Sequence, residues 1–273
     1  MPLALGVTLL AGALPWSMTA HRYDIAQNNL LGWKSARAHF VRAIDQPGAD
    51  EFRDYVGPPG AHAMRLLVLH MGVTVPGRPA PQRDGPLPTL RLAIAARLVG
   101  KKGHGHLLAA MAIARAGGQK IFLEVFGDGP LEAKLHRQAQ QLGLGNALLW
   151  HGATAHETML NALVNGHFDA AVLPSLTTSD GDKEGIPVFL IEAMAAGLPV
   201  ITTANGGIIE LAGGGAGLLV PESDAQALAA AMIGLAQDGK ERARLAQAGR
   251  ERVLAKFEIA ANMRELRRLI SED

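Results

Sequence analysis

An α/β fold on parallel sheets is what this sequence predicts, and three observations carry the prediction. Short apolar runs of strand type alternate with helical stretches almost from end to end, the pattern of parallel strands joined by crossover helices. Hydrophobic residues make up 48% and charged residues 19% of the 273, enough for one large domain or two modest ones with a proper core. The 32 glycines and the alanine-rich helical stretches suit close packing of helix on sheet.

The elements follow in order. Residues 3–13 predict an apolar helix, Trp16–Ala20 a short strand, Trp33–Ala38 a helix and His39–Ile44 a strand. A helix near Gly48–Tyr55 and a buried strand at Arg65–His70 close the first run. Val75 to Pro88 then breaks the alternation with Pro76, Pro79, Pro81, Pro86 and Pro88, together with Gly77 and Gly85. Proline at this density lacks amide donors and resists both helix and sheet, so 76–88 reads as an interdomain linker.

A second alternation begins at Leu90–Ala95, a strand, followed by a helix over Gly103–Arg115. Ile121–Phe126 is a strand, Pro130–Leu142 a helix with proline in its first turn, Leu148–His151 a strand and His156–Val164 a short helix. Asp169–Pro174 is a strand, Ile186–Ala196 a helix, Pro199–Thr202 a strand, Gly207–Leu211 a helix and Gly217–Val220 a strand. Helices over Asp224–Gln237, 239–256 and 258–270 complete the set.

Composition excludes several classes. A formal net charge of +1 supplies no global field for nucleic acid or an anionic membrane. Aromatic residues are 4%, too few for a stacking platform for single strands. With no cysteine, disulfide frameworks and thiolate metal sites are impossible. The apolar opening, Met1–Pro15, has the small-residue end of a secretory signal, but no Lys or Arg precedes Arg22 and the run is too short to span a membrane. A buried helix leading into a strand is the better reading. The histidines show no metal spacing: His104 and His106, two apart, point to different sides of a helix. No Ser-His-Asp grouping and no Gly-Lys-Ser/Thr phosphate loop is readable.

Five places carry candidate chemistry. Arg97 and Lys102, in the stretch Ala96–Gly103, follow a buried strand and open a helix; two cations there suit a diphosphate, or form a solvated basic turn. Glu184 precedes a helix opened by Pro187, and Glu192 lies two turns along it. The neighbours of Glu184 offer free backbone amides to an anion there, with one carboxylate reaching a sugar hydroxyl and the other a ribose. The plainer reading is a capping Glu184 and a solvent-facing Glu192, yet Leu190, Ile191, Ala193 and Met194 surround Glu192 with apolar groups, where a carboxylate needs a partner or a ligand. Gly127-Asp128-Gly129-Pro130 turns from strand to helix and serves as a structural turn or a close-approach loop. Asn205-Gly206-Gly207, with Glu210, is a second anion cradle or simply a loop. His21, at the carboxyl end of a strand, either meets a substrate or pairs with Asp24.

Together these motifs resemble glycosyltransferase family 4, the group 1 glycosyltransferases. The match runs through Arg97-x4-Lys102-Gly103, Gly127-Asp128-Gly129-Pro130, Pro174-Ser175, Glu184-x7-Glu192 with Ala193–Ile201, and Gly206-Gly207-x2-Glu210. Each is weak alone; five in order at family spacing are specific. The resemblance implies a GT-B fold: a complete C-terminal Rossmann-like domain plus a partial N-terminal one. It divides the chain into a partial acceptor-side domain over 1–75, the linker, a donor-binding domain over 89–257, and a helix over 258–273 that packs back on the first domain. It further implies a retaining, hexosyltransferase-like transfer from a UDP-, GDP- or ADP-sugar to a saccharide or lipid-linked acceptor, without cofactor or metal.

Arg97 and Lys102 then hold the diphosphate, Glu184 the donor sugar and Glu192 the ribose. Gly185, Ile186, Pro187 and Val188 line the donor, as do Gly127, Asp128 and Gly129, and His21 approaches donor sugar or acceptor. Leu3–Val73, with Thr19-Ala20-His21-x2-Asp24-Ile25, is similar to the late part of the N-terminal domain in exopolysaccharide and colanic-acid transferases. Ala96 stands where the family usually has glycine. The family's opening strands have no counterpart here, so the expectation is a truncated gene, a misplaced start or a split enzyme, with a partner completing the first domain. The expected location is the cytoplasm, with peripheral attachment at the inner membrane face. Two further readings stay open: a nucleotide-sugar-binding remnant without activity, and a sugar-nucleotide epimerase of the same architecture.

Overall fold

A computed structural model describes residues 17–21, 31–56 and 65–271. The helix expected over 3–13 lies outside them. The chain divides into two compact units, one of residues 1–72 with 259–273, the other Val73–Glu258.

In the first unit, β1 (Met18–Ala20), β2 (Val41–Ala43) and β3 (Leu66–Val68) form a parallel sheet in that order. Helices α1 (Leu31–Ser35) and α2 (Gln46–Val56) connect them, and α10 (Ile259–Ser271) belongs to the same unit. Strand neighbours point to opposite faces, and the apolar residues divide accordingly. Ala20, Leu31, Val41 and Phe52 form one cluster, while Phe40 and Leu69 form another with Leu269 of α10. Asn262 of α10 donates to the His70 carbonyl at 3.1 Å. The α2 start is capped by Asp45, whose carboxylate accepts from the Gly48 amide at 2.6 Å, with Pro47 in the first turn, where its missing amide is harmless.

The second unit holds six parallel strands in the order β6-β5-β4-β7-β8-β9. They are β4 (Thr89–Ala95), β5 (Lys120–Phe126), β6 (Leu148–Gly152), β7 (Ala170–Leu173), β8 (Val200–Thr203) and β9 (Leu218–Val220). Between them run α3 (His104–Ala116), α4 (Glu132–Gln141), α5 (His156–Val164), α6 (Val188–Ala195) and α7 (Ile208–Ala212), with α8 (Ala225–Gln237) and α9 (Gly239–Lys256) following. Every residue of β7 and β8 is buried, as helix-covered parallel strands require. Helix α6 is buried from Phe189 through Ala195, which explains its apolar character on all sides. Helix α8 packs on α3, and α9 on α6.

The proline-rich segment expected as a linker lies along the second unit. Residues 76–88 fall within the second unit and pack against it. Ala80 and Leu87 are buried, their amides donating to the carbonyls of Ala196 (2.7 Å) and Ala236 (2.8 Å). Arg83 forks onto the buried Asp169, with Nε donating to Oδ1 at 2.6 Å. A proline-rich chain needs few amide acceptors, so it can lie along a folded surface as readily as it can span a gap. The chain passes between the units at Gly72–Val73 and again at Glu258–Ile259.

Candidate functional site

Strand β4 is where the second sheet's winding reverses: β5 and β6 lie to one side of it, β7, β8 and β9 to the other. The loops leaving the carboxyl ends of β4 and β7 therefore diverge, and ligands of such sheets bind in the crevice they leave. Arg97 and Lys102 lie in the first of these loops, Glu184 in the second.

Ala95 ends β4; Arg97 follows exposed, and a 3₁₀ turn over Gly100–Lys102 leads to Gly103. Gly103 is left-handed (φ +69°), and a Cβ on it would lie 1.8 Å from the Pro174 carbonyl oxygen. Only glycine permits that approach. It brings the turn against the loop after β7, where the Leu176 amide donates to the Lys101 carbonyl at 2.8 Å. Lys102 Nζ then lies 2.7 Å from Glu184 Oε1, with both side chains mostly buried. The contact is an ion pair without hydrogen-bond angles, so Oε1 is buried with no hydrogen-bond partner.

Glu184 is held through its backbone. Its amide donates to Asn205 Oδ1 at 2.7 Å, and its carbonyl accepts from the Gly207 amide at 3.1 Å. Gly206 (φ +48°) passes so close that a Cβ would sit 1.9 Å from the Glu184 carbonyl oxygen. The Asn205-Gly206-Gly207 stretch thus uses one of its amides to position Glu184. Asn205 Nδ2 in turn donates to Glu222 Oε1 at 2.7 Å, and the Thr177 amide to Glu222 Oε2 at 2.6 Å. Burial pushes the Glu222 carboxyl up, but the bonds from Thr177 and Asn205 outweigh it and hold the group below its ordinary value.

Pro187 caps α6 in an extended conformation. The amides of Gly185, Ile186 and Val188 take part in no hydrogen bond among the described residues and remain available to an acceptor. On α6, Glu192 is 8% exposed, which rules out the solvent-facing reading. The partner its apolar setting demanded is His156, at the first turn of α5, with Nε2 2.6 Å from Glu192 Oε1. Burial raises the Glu192 carboxyl above its usual range, and the bond and charge of His156 oppose that rise.

The Gly127–Gly129 turn packs on the Arg97 loop. A Cβ on Gly127 would lie 2.2 Å from the Ala96 carbonyl oxygen. The Leu98 amide donates to the Asp128 carbonyl at 2.7 Å, and the Asp128 side chain is exposed. The glycines thus serve this loop-to-loop approach. His21 belongs to the first unit, where it is exposed directly after β1; Asp24, its alternative partner, lies outside the described residues.

Sequence reasoning missed His156, which shows only as the start of a short helix, and the Asn205–Thr177–Glu222 bonds. It also passed over His104 as a ligand without a second member. That imidazole is 4% exposed with neither ring nitrogen hydrogen-bonded, and burial, reinforced by Lys102, lowers it to about 4. No group of three or more His, Asp or Glu among the described residues is placed to hold a metal ion. A cavity of about 410 Å³ lined by Thr89, Met111, Lys120 and Leu144 opens at the amino ends of β4 and β5, away from these residues.

Two Rossmann-like units with parallel sheets, and charged groups gathered at the carboxyl ends of the second sheet, define a GT-B type fold. The structure superimposes on Anabaena HepE, solved with UDP and glucose, with a TM-score of 0.80 at 21% identity, covering 99% of this chain and 75% of that one. It is similar also to sucrose-phosphate synthase from Thermosynechococcus elongatus, with a TM-score of 0.75 at 25% identity over 97% and 70% of the two chains.

The chain belongs to the glycosyl transferases group 1 family, which matches residues 86–252. Among curated relatives, the amylovoran biosynthesis glycosyltransferase AmsK of Erwinia amylovora is 35% identical over 212 residues, 77% of this chain and 52% of the relative. The putative colanic acid biosynthesis glycosyltransferase WcaL of Salmonella typhimurium is 40% identical over 163 residues, 59% and 37% of the two chains. The chain spans about half the length, or less, of these curated relatives.

Proposed function

We propose that this chain carries the donor half of a retaining glycosyltransferase that moves a sugar from a nucleoside diphosphate to a saccharide or lipid-linked acceptor. The observation that carries the reading is the meeting of Lys102 and Glu184 at the reversal point of the sheet, beside unpaired amides and with Glu192 two turns further along α6. As the nucleoside diphosphate departs, negative charge collects on its phosphate oxygens. Arg97, Lys102 and the amides of Gly185, Ile186 and Val188 stabilise that charge. Glu184 accepts from donor-sugar hydroxyls and Glu192 from the ribose. The acceptor attacks from the leaving-group side, so configuration is retained without an enzyme nucleophile.

In this reading residues 1–75 form the acceptor side, with His21 toward donor sugar or acceptor, and residues 89–257 the donor side. The reaction runs in the cytoplasm at the inner membrane face. Relatives described as amylovoran, colanic acid and phosphatidylinositol monomannoside enzymes support that class of acceptor. Among the described residues no helix is long and apolar enough to cross a membrane. The donor is a UDP-sugar, as the HepE complex with UDP-glucose suggests, a GDP-sugar, as the mannosyltransferase relatives suggest, or an ADP-sugar.

Calorimetric titration with UDP, GDP and ADP tests this reading on the unmodified chain and on Arg97→Ala and Glu192→Ala. One nucleotide should bind, and each substitution should weaken it about tenfold or more, as loss of a charge-assisted bond does. Absence of binding to folded protein rejects the donor site. Binding without release of nucleoside diphosphate from the matching sugar nucleotide, across varied acceptors, identifies a binding remnant instead.

A further inference from the structure

The Glu192–His156 pair joins two very different environments. Glu192 lies in a buried apolar helix with its side chain 7% exposed, while the His156 side chain is 65% exposed at the rim. The ring nevertheless reaches inward, with Nε2 2.6 Å from Oε1. Whichever group carries the shared proton, Oε1 is engaged. Oε2 takes part in no hydrogen bond among the described residues, so it is the oxygen left to meet a ligand. No other side chain bonds to this carboxylate among the described residues. Without His156 the carboxylate would turn freely and take up a proton more readily, because burial already disfavours its charge.

We infer that His156 is a positioning residue of the nucleotide site, fixing the Glu192 carboxylate through Oε1 so that Oε2 is presented to a ribose hydroxyl. The inference rests on the proposed donor site. It assigns His156 a role through Glu192 and no contact with the nucleotide itself. A second place follows for the short α5 helix: its first turn aims the ring that aims the carboxylate.

The test is a double-mutant cycle by calorimetry with UDP, GDP and ADP on the full chain, using His156→Ala, His156→Gln, Glu192→Ala and the double alanine variant. His156→Ala leaves a buried carboxylate without its partner and should lower the melting temperature modestly, so thermal melting first establishes that each variant is folded at the titration temperature. His156→Ala should weaken nucleotide binding roughly tenfold, the usual effect of losing a bond to a charged group. His156→Gln, which can present an amide proton near the Nε2 position, should recover most of that loss. In the Glu192→Ala background, His156→Ala should have no further effect. Unchanged or tighter binding by His156→Ala overturns the inference, as does a loss that persists without Glu192, since that would mean direct contact. Failure of the unmodified chain to bind any of the three nucleotides removes the donor-site reading, and this inference with it. A normal wild-type titration with an inert His156 removes only the inference.

Discussion

Lys102 Nζ and Glu184 Oε1 stand 2.7 Å apart, one closing the turn after β4 and the other ending the loop after β7. The pair links the two loops that diverge at the sheet's reversal point, and it does so with only 20% and 9% of the side chains exposed. Such a pair owes its existence to backbone contacts made elsewhere, because charges alone would not gather there against the cost of leaving water.

Removing one member should therefore hurt more than removing both. Lys102→Met leaves the Glu184 carboxylate buried and uncompensated, and should lower stability by about 1–3 kcal/mol, reduced from the fully buried case by the remaining exposure. Lys102→Met with Glu184→Gln should lose clearly less than the sum of the single changes. Urea midpoints for the three variants decide this; strict additivity would mean the two groups are uncoupled.

Gly103→Ala should be costly and Gly100→Ala close to neutral. The first forces a Cβ to 1.8 Å from the Pro174 carbonyl oxygen at a left-handed φ, whereas the second meets nothing within 4 Å. The expected loss for Gly103→Ala is about 2 kcal/mol or more, with weaker nucleotide binding as the two loops separate. Equal stabilities for the two variants would contradict the close approach. Denaturant unfolding and a single titration give both readouts.

His104 makes the protein acid-sensitive. Unfolded, its imidazole takes a proton near 6.5; folded, burial and Lys102 delay this to about 4. Below 6.5 the unfolded chain thus binds more protons than the folded one, so stability is fully present above 6.5 and is lost as pH falls toward 4. The loss approaches about 3 kcal/mol at the acid end. His104→Leu should flatten this part of the profile, seen as a smaller change in urea midpoint between neutral pH and about pH 5. Parallel profiles for the two proteins would show that the imidazole does not carry the effect.

Arg242 should prove a stability residue of the second unit. Only 1% exposed, it donates to the carbonyls of Leu235 (2.6 Å), Ala236 (3.1 Å) and Arg83 (2.9 Å), and to that of Gly85. It thereby ties α8 and α9 to the proline-rich segment. Arg242→Ala strands those acceptors and opens a cavity, so about 3 kcal/mol should be lost with little change in nucleotide affinity once folded. Proteolysis should then cut first between residues 76 and 88.

Much of this protein is written in its sequence. Apolar runs marked the strands from Leu90 to Val220, most plainly β7, since a strand covered on both faces must be apolar on both. The order of Arg97, Lys102, Glu184 and Glu192 against those strands placed the charged groups at carboxyl ends, since a residue's place in a βα unit follows from chain order alone. The apolar neighbours of Glu192 announced that it needed a partner. Only the tertiary structure named that partner as His156, because the two meet through the packing of α5 and α6 rather than through any spacing. The same holds for Lys102 with Glu184, whose contact depends on Gly103 touching Pro174. It holds also for the prolines of 76–88, which composition marks as irregular but which bury Ala80 and Leu87. Local rules act over a few residues and are legible in the chain; a contact between distant loops is decided by how the core packs.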